Sequence, residues 1–309
     1  MRRRKLVTFS FFVALAACGS RTALVIDTLG DAGADSGPKD SGPDRRDAPG
    51  DAPQDRLPPI DVVRPDVIKP VECADAAIQY IYLFSDVGDL LAFDPSNLQI
   101  KTIGKVSCPS MLQPNSMAVD HLGVAYANYY GGSAGEIFRL STSTAACVGT
   151  AYTPQFGFTK FGMGFVGDQD GGETLYIADT INDPSGALAS VDTKTFKLGY
   201  VAPFAPALPR CELTGTGDGR LFAFCMNTQG STLAQIDPKT AKVVAADTLQ
   251  TGNDSVAFAF GFWGGNFWLF TGTSGSSITK FDPISKKETV VSSTSQLIVG
   301  AGVSTCAPL

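Results

Sequence analysis

From about residue 73 onward, short runs of β-branched, aromatic and small apolar residues alternate with clusters of Gly, Asn, Asp, Ser and Pro. No convincing stretch repeats its apolar positions at the period of an amphipathic helix, so the pattern predicts an all-β chain. One strand-plus-turn unit recurs: LLAFDPSNLQ (90–99), IFRLSTSTAA (137–146), LASVDTKTFK (188–197), LAQIDPKTAK (233–242) and ITKFDPISKK (278–287). Counted from Asp94, Ser141, Asp192, Asp237 and Asp282, the spacings are 47, 51, 45 and 45 residues. Asp followed by Pro or Thr suits the first two positions of a type I turn, where the carboxylate caps the turn and proline presets φ.

Each unit sits in a larger frame. A small-residue strand leads, as in SMAVD (116–120), FGMGFVG (161–167), CELTGTG (211–217) and VAFAFGF (256–262). An aromatic-rich strand follows, as in VAYANYY (124–130) and FWLFTGT (267–273). The strand ending in the Asp turn is third, and one such as KVVAADT (242–248) is fourth. Four antiparallel strands per roughly 47 residues make a β-propeller blade, and small residues on the first strand suit the crowded axis. The first frame (81–106) lacks its innermost strand, while LIVGAGVST (297–305) is left over at the end. Pairing the two closes a single propeller of five four-stranded blades over residues 71–309. In architecture and repeat texture, residues 75–306 resemble propellers of the NHL, YVTN and streptogramin-lyase types.

The N-terminus differs in kind. Arg2, Arg3, Arg4 and Lys5 precede a short apolar run, Leu6 to Ala14, and small residues lead to Cys18. This is the order of a secretory signal over residues 1–17, too short to span a bilayer as a stable helix. The ending Leu15-Ala16-Ala17-Cys18 resembles the lipobox of bacterial lipoproteins. That resemblance implies an acylated Cys18 as mature N-terminus and a lipid bilayer as its partner. Gly19, where Asp would retain a lipoprotein in the inner membrane, implies the outer membrane of a Gram-negative cell. Residues 27–70 hold no aromatic side chain and are dominated by Asp, Pro, Gly and Ala. Such a stretch buries too little apolar area to offset the entropy of ordering, so 18–70 reads as a disordered, lipid-anchored linker. A formal net charge of −6 argues against nucleic acid, which needs clustered Lys and Arg.

Setting Cys18 aside leaves Cys73, Cys108, Cys147, Cys211, Cys225 and Cys306, an even number that suits disulfides in an exported chain. Cys211 and Cys225 are symmetric about the turn Gly217-Asp218-Gly219, so they face each other across a hairpin. Cys306 follows the last inner strand and Cys73 precedes the strand beside it, so their bond would clasp the ring. Cys108–Cys147 follows by elimination.

Chemistry-bearing residues are sparse. His121, the only histidine, falls in the turn Asp120-His121-Leu122-Gly123 and reads as a solvated loop residue. Gly162, Gly164 and Gly167 open no helix, so a dinucleotide loop is rejected. Asp168, Asp170 and Glu173 read as an acidic hairpin turn, with calcium ligation as the alternative. No catalytic residue, metal-ligand set or cofactor is assigned. Propellers present ligands where the outer strand of one blade crosses to the inner strand of the next. That face collects Asn115, Tyr129, Tyr130, Lys160, Arg210 and Asp254 as candidate ligand-binding residues. Trp263 and Trp268 read as core.

The chain thus reads as a membrane-anchored, exported lipoprotein whose propeller is a non-enzymatic binding or scaffolding module for an envelope protein or glycan. Two alternatives stand beside it. A metal-dependent lactonase- or lyase-like enzyme would draw on Glu212 and Asp254, the carboxylates nearest the axis. An assembly factor of an envelope complex would be similar to the propeller lipoprotein of the outer-membrane insertion machinery.

Overall fold

The recurring turns share one backbone solution, and it sets the third and fourth strands of every blade. The computed structural model describes residues 57–60, 73, 78–179, 186–227, 230–253 and 255–309. Within it Asp94, Asp192, Asp237 and Asp282 each accept the amide two residues on, at 2.8–2.9 Å. Amide hydrogen bonds from Thr195 and Lys194 hold the Asp192 carboxyl below the usual range. Four residues past each anchor, Leu98, Ala145, Phe196, Ala241 and Lys286 take left-handed φ angles between 56° and 64°. A left-handed non-glycine residue costs roughly 1–2 kcal/mol. Burial of Ala145, Phe196 and Ala241 under the turn offsets it.

Five four-stranded antiparallel sheets result. Blade 1 joins β1 (Ile81–Ser85), β2 (Asp89–Asp94) and β3 (Gln99–Lys105) to the C-terminal β20 (Ile298–Gly302) as its innermost strand. Blade 2 is β4 (Gln113–Val119), β5 (Val124–Gly131), β6 (Ala134–Ser141) and β7 (Cys147–Gly149). Blade 3 is β8 (Phe161–Gly167), β9 (Glu173–Asp179), β10 (Ala187–Val191) and β11 (Leu198–Pro203). Blade 4 is β12 (Cys211–Gly215), β13 (Leu221–Asn227), β14 (Gly230–Ile236) and β15 (Val243–Leu249). Blade 5 is β16 (Ala257–Trp263), β17 (Asn266–Gly272), β18 (Ser276–Asp282) and β19 (Lys287–Thr294). The ring closes where β20 pairs antiparallel with β1, Leu83 opposite Ala301.

Alternation along each strand sends apolar side chains into the seams between neighbouring blades. Phe222 and Phe224 of blade 4 meet Phe262 and Phe260 of blade 5 at 5.7 Å between centroids. Trp268 is buried against Phe93 at 5.4 Å, and Trp263 lends its indole N–H to the Ile78 carbonyl at 2.9 Å. Near the axis, space rather than burial selects the residues. A Cβ on Gly162 would lie 2.3 Å from the Cys211 carbonyl oxygen, and one on Gly164 2.9 Å from Thr214 Cα. The glycines of β8 therefore serve the close approach of β12.

Three disulfides form: Cys73–Cys306, Cys108–Cys147 and Cys211–Cys225. Cys211 and Cys225 are register partners on β12 and β13.

The leader, Cys18 and most of the linker lie outside the described residues. Leu57 to Ile60, inside the stretch read as disordered, are bound to the propeller, which corrects that boundary. The Pro58 carbonyl accepts the Ala246 amide of β15 at 2.9 Å, and the Ile60 amide donates to Asp247 Oδ2 at 3.4 Å. Lys286 Nζ donates to the Ile60 carbonyl at 3.1 Å and pairs with Asp247 at 3.0 Å. Ile60 itself is 3% exposed and joins the aromatic seam between blades 4 and 5. The physical reason is local: one branched apolar side chain in an extended proline segment finds both a seam and an unpaired strand edge.

Candidate functional site

Three inner strands begin at the same mouth of the central channel, each carrying a polar residue at or just before its first residues. Asn115 occupies a bulge in β4, where the register shifts between Pro114 and Ser116. Lys160 precedes β8 and Arg210 precedes β12. With Glu212 of β12 they line a cavity of about 120 Å³ whose apolar wall includes Val256, Phe258 and Val299.

Each polar group is held differently. Asn115 Nδ2 donates to Asn128 Oδ1 at 2.9 Å and to the Phe161 carbonyl at 3.0 Å, tying blade 2 to blade 3. Lys160 Nζ lies 5.4 Å from the Tyr130 ring centre, and the Arg210 guanidinium lies 5.3 Å from that of Phe258, both over ring faces. Burial, and then the charge of Arg210, lower the Lys160 pKa, with Glu212 opposing. Arg210 takes a left-handed φ of 50° outside the recurring turns. Glu212 is buried, 7% exposed, and accepts the Ser116 hydroxyl at Oε2, 2.5 Å away. Burial raises its pKa well above the carboxylate range, against the pull of Ser116 and Lys160. The arrangement is a lysine and an arginine at the mouth over a buried carboxyl that desolvation shifts towards its protonated form.

Of the expected ligand residues, Asn115, Lys160 and Arg210 converge on this cavity, and Tyr130 supports Lys160. Asp254 lies outside the described residues. Tyr129 is a correction. It is 5% exposed, packed edge-on to Phe84 and Phe138 at 5.7 and 5.2 Å, and desolvation pushes its hydroxyl up to about 12. Adjacent strand residues point to opposite faces, so Tyr129 and Tyr130 could not both serve the rim. Phe258 and Ser116 went unassigned. Phe258 is one aromatic among several in VAFAFGF, and Ser116 is the small residue that the strand pattern expects.

The opposite face holds a second polar assembly. His121 is not a solvated loop residue: its Nδ1 lies 2.6 Å from Glu173 Oε1, and its amide also reaches that carboxylate. Thr305, beyond β20, donates to Glu173 Oε2 at 2.7 Å. Glu173 thereby joins blade 2, blade 3 and the closing segment. Asp168 and Asp170 turn elsewhere, Asp170 to the Gly172 amide and Asp168 to the Thr174 hydroxyl. Among the described residues no three His, Cys, Asp or Glu side chains converge as a metal-ligand set. Nearby, buried Arg220 donates from Nε to Asp218 Oδ1 at 2.8 Å. Its Nη2 lies 2.5 Å from Oδ2 as an ion pair without hydrogen-bond alignment.

No family model and no curated protein matches the sequence. Among solved structures, TolB from Acinetobacter baumannii is similar over 69% of this chain, at 13% identity and a TM-score of 0.43. The match spans about half of that protein, 52%. A structural genomics protein of unknown function from Bacteroides thetaiotaomicron is similar over 75% of this chain and 65% of its own, at 13% identity and TM-score 0.45.

Proposed function

We propose that this chain is an exported lipoprotein, held to the outer membrane of a Gram-negative cell by an acylated Cys18. In this reading its five-bladed propeller is a non-enzymatic binding module for an envelope protein or glycan. The observation that carries the binding part is the convergence of Asn115, Lys160 and Arg210, from three blades, on one cavity at the axial mouth. A scaffold that only filled space would gain nothing from two basic side chains lining one cavity. Convergent polar groups in a concavity are what ligand recognition uses to fix orientation and specificity. The anchor part rests on the leader and its lipobox.

A photo-crosslinking residue tests the binding part in cells. Val256, at the cavity and 63% exposed, is one position; Leu122, on the opposite face and 53% exposed, is the other. A specific adduct from position 256 and none from 122 is expected, and the reverse would defeat the reading. For the anchor, Cys18→Ser should abolish palmitate labelling and release the protein from membranes; retention of both would exclude acylation at Cys18.

A further inference from the structure

The cavity's charge, shape and lining narrow what it can hold. Lys160 and Arg210 form no ion pair with any described residue. Their mutual repulsion contributes to the lowered Lys160 pKa. Two like charges kept together over a low-dielectric wall favour an anion between them. The backbone points the same way. Among the described residues, five of the seven left-handed non-glycine positions serve the recurring turns, whereas Arg210 accepts that strain at the cavity mouth.

Glu212 would be the wrong neighbour for an anion if it were charged. Buried and bonded to Ser116 through Oε2, it is shifted by desolvation towards the protonated form, in which the carboxyl can donate. One side of the wall, Val256, Phe258 and Val299, is apolar and suits a hydrocarbon stem better than a fully hydrated inorganic ion. About 120 Å³ admits a carboxylate with a short stem, not a whole oligomer. The guanidinium fork matches the two oxygens of a planar carboxylate.

We propose that the axial cavity binds an organic carboxylate end-on, with Arg210 and Lys160 as its charge partners and Glu212 as a hydrogen-bond donor beneath. The proposal rests on the reading of this cavity as a ligand site. The carboxylate belongs to a small free acid or to the C-terminal end of a peptide.

Thermal unfolding and calorimetric titration of the full chain at constant ionic strength provide the test. The probes are propionate, N-acetylglycine, N-acetylglycinamide and inorganic phosphate. Both carboxylates should bind and raise the unfolding midpoint, and the neutral amide should not. Tighter binding of N-acetylglycine than of propionate assigns the peptide end, and the reverse assigns the free acid. Arg210→Asn, whose side chain tolerates the left-handed backbone, and Lys160→Met should each weaken carboxylate binding at least about tenfold. Unliganded midpoints of both variants show whether they fold, and either variant alone suffices. Equal binding of amide and acid, or affinity unchanged in both variants, overturns the proposal. Phosphate binding without carboxylate binding, abolished in Arg210→Asn, would overturn the carboxylate while leaving the cavity a ligand site. No probe bound and no adduct from position 256 would sink both readings.

Discussion

The Ser116 hydroxyl donates to Glu212 Oε2 at 2.5 Å, bridging the innermost strands of blades 2 and 4 past the intervening β8. Ninety-six residues separate the two in sequence. The contact exists because Gly162 and Gly164 of β8 leave room for β12 to approach. It leaves a buried carboxyl with one hydroxyl donor, too few to stabilise its charge.

That burial has a pH signature. The folded-state pKa of Glu212 lies well above its ordinary value of 4.5. Between the two values the folded protein holds a proton that the unfolded chain has released. Stability is therefore greatest below the ordinary value, falls as pH rises through the window, and levels off above the folded value. The slope contributed is about 1.4 kcal/mol per pH unit. Glu212→Gln, neutral at every pH, should remove this slope, as denaturant unfolding across mildly acidic to alkaline pH would reveal. Parallel curves for the two proteins would refute the buried protonated carboxyl.

Glu173 predicts a different response. It accepts the His121 amide at 3.0 Å, contacts His121 Nδ1 at 2.6 Å and accepts Thr305 Oγ1 at 2.7 Å. Glu173→Ala strands donors from two other parts of the ring, at a cost of about 1–3 kcal/mol for each unmet buried group. A loss of about 3 kcal/mol is expected in equilibrium unfolding. Hydrogen exchange should quicken first around Thr305, where the closing segment loses its side-chain tie. A change within about 0.5 kcal/mol would show that the cluster is ornamental to stability.

The ring was legible because one local rule repeats: an Asp turn, a left-handed residue four places on, and a frame near 47 residues. The unmatched first and last strands then left one way to close it. Contacts across the axis were not legible. Strand alternation gives two phases, and in glycine-rich inner strands nothing marks which phase faces the channel, so Glu212 was placed near the axis without its Ser116 partner. Tyr129 failed for the same reason, one residue out of phase with Tyr130. The docked Leu57–Ile60 segment was hidden by composition averaged over a Pro- and Asp-rich stretch, which conceals a single well-placed isoleucine. The His121 contact is equally invisible in a turn motif, because its partner, Glu173, comes from the next blade.

The clasp should outweigh the hairpin staple. Cys73–Cys306 closes a separation of 233 residues and Cys211–Cys225 one of 14. On the loop-entropy model these stabilise by about 5 and about 3 kcal/mol respectively. Replacing each pair by serine should lower unfolding free energy in that order, measured with the other bonds oxidised. If the hairpin pair proved the costlier loss, closure entropy would not be what the clasp supplies.

The Ile60 seam predicts where the N-terminal segment can be detached. Ile60 is held by burial among the blade 4 and 5 aromatics, while its neighbours add the Pro58 carbonyl to the free edge of β15. Lys286, in the turn after β18, completes the grip on the face opposite the cavity. Ile60→Asp puts an uncompensated carboxylate into that seam beside Asp247, which costs more than the remaining hydrogen bonds return. The segment should leave while the propeller, closed by its own strands, keeps its fold. The Ala246 amide, whose acceptor is Pro58, should then exchange with solvent at least about tenfold faster, since it loses that strand-edge partner. Amides of β17 at the centre of blade 5 should keep their protection. Unchanged exchange at Ala246 would mean that the backbone hydrogen bond, not the isoleucine, secures the strap. Global loss of protection would mean that these four residues belong to the propeller's core.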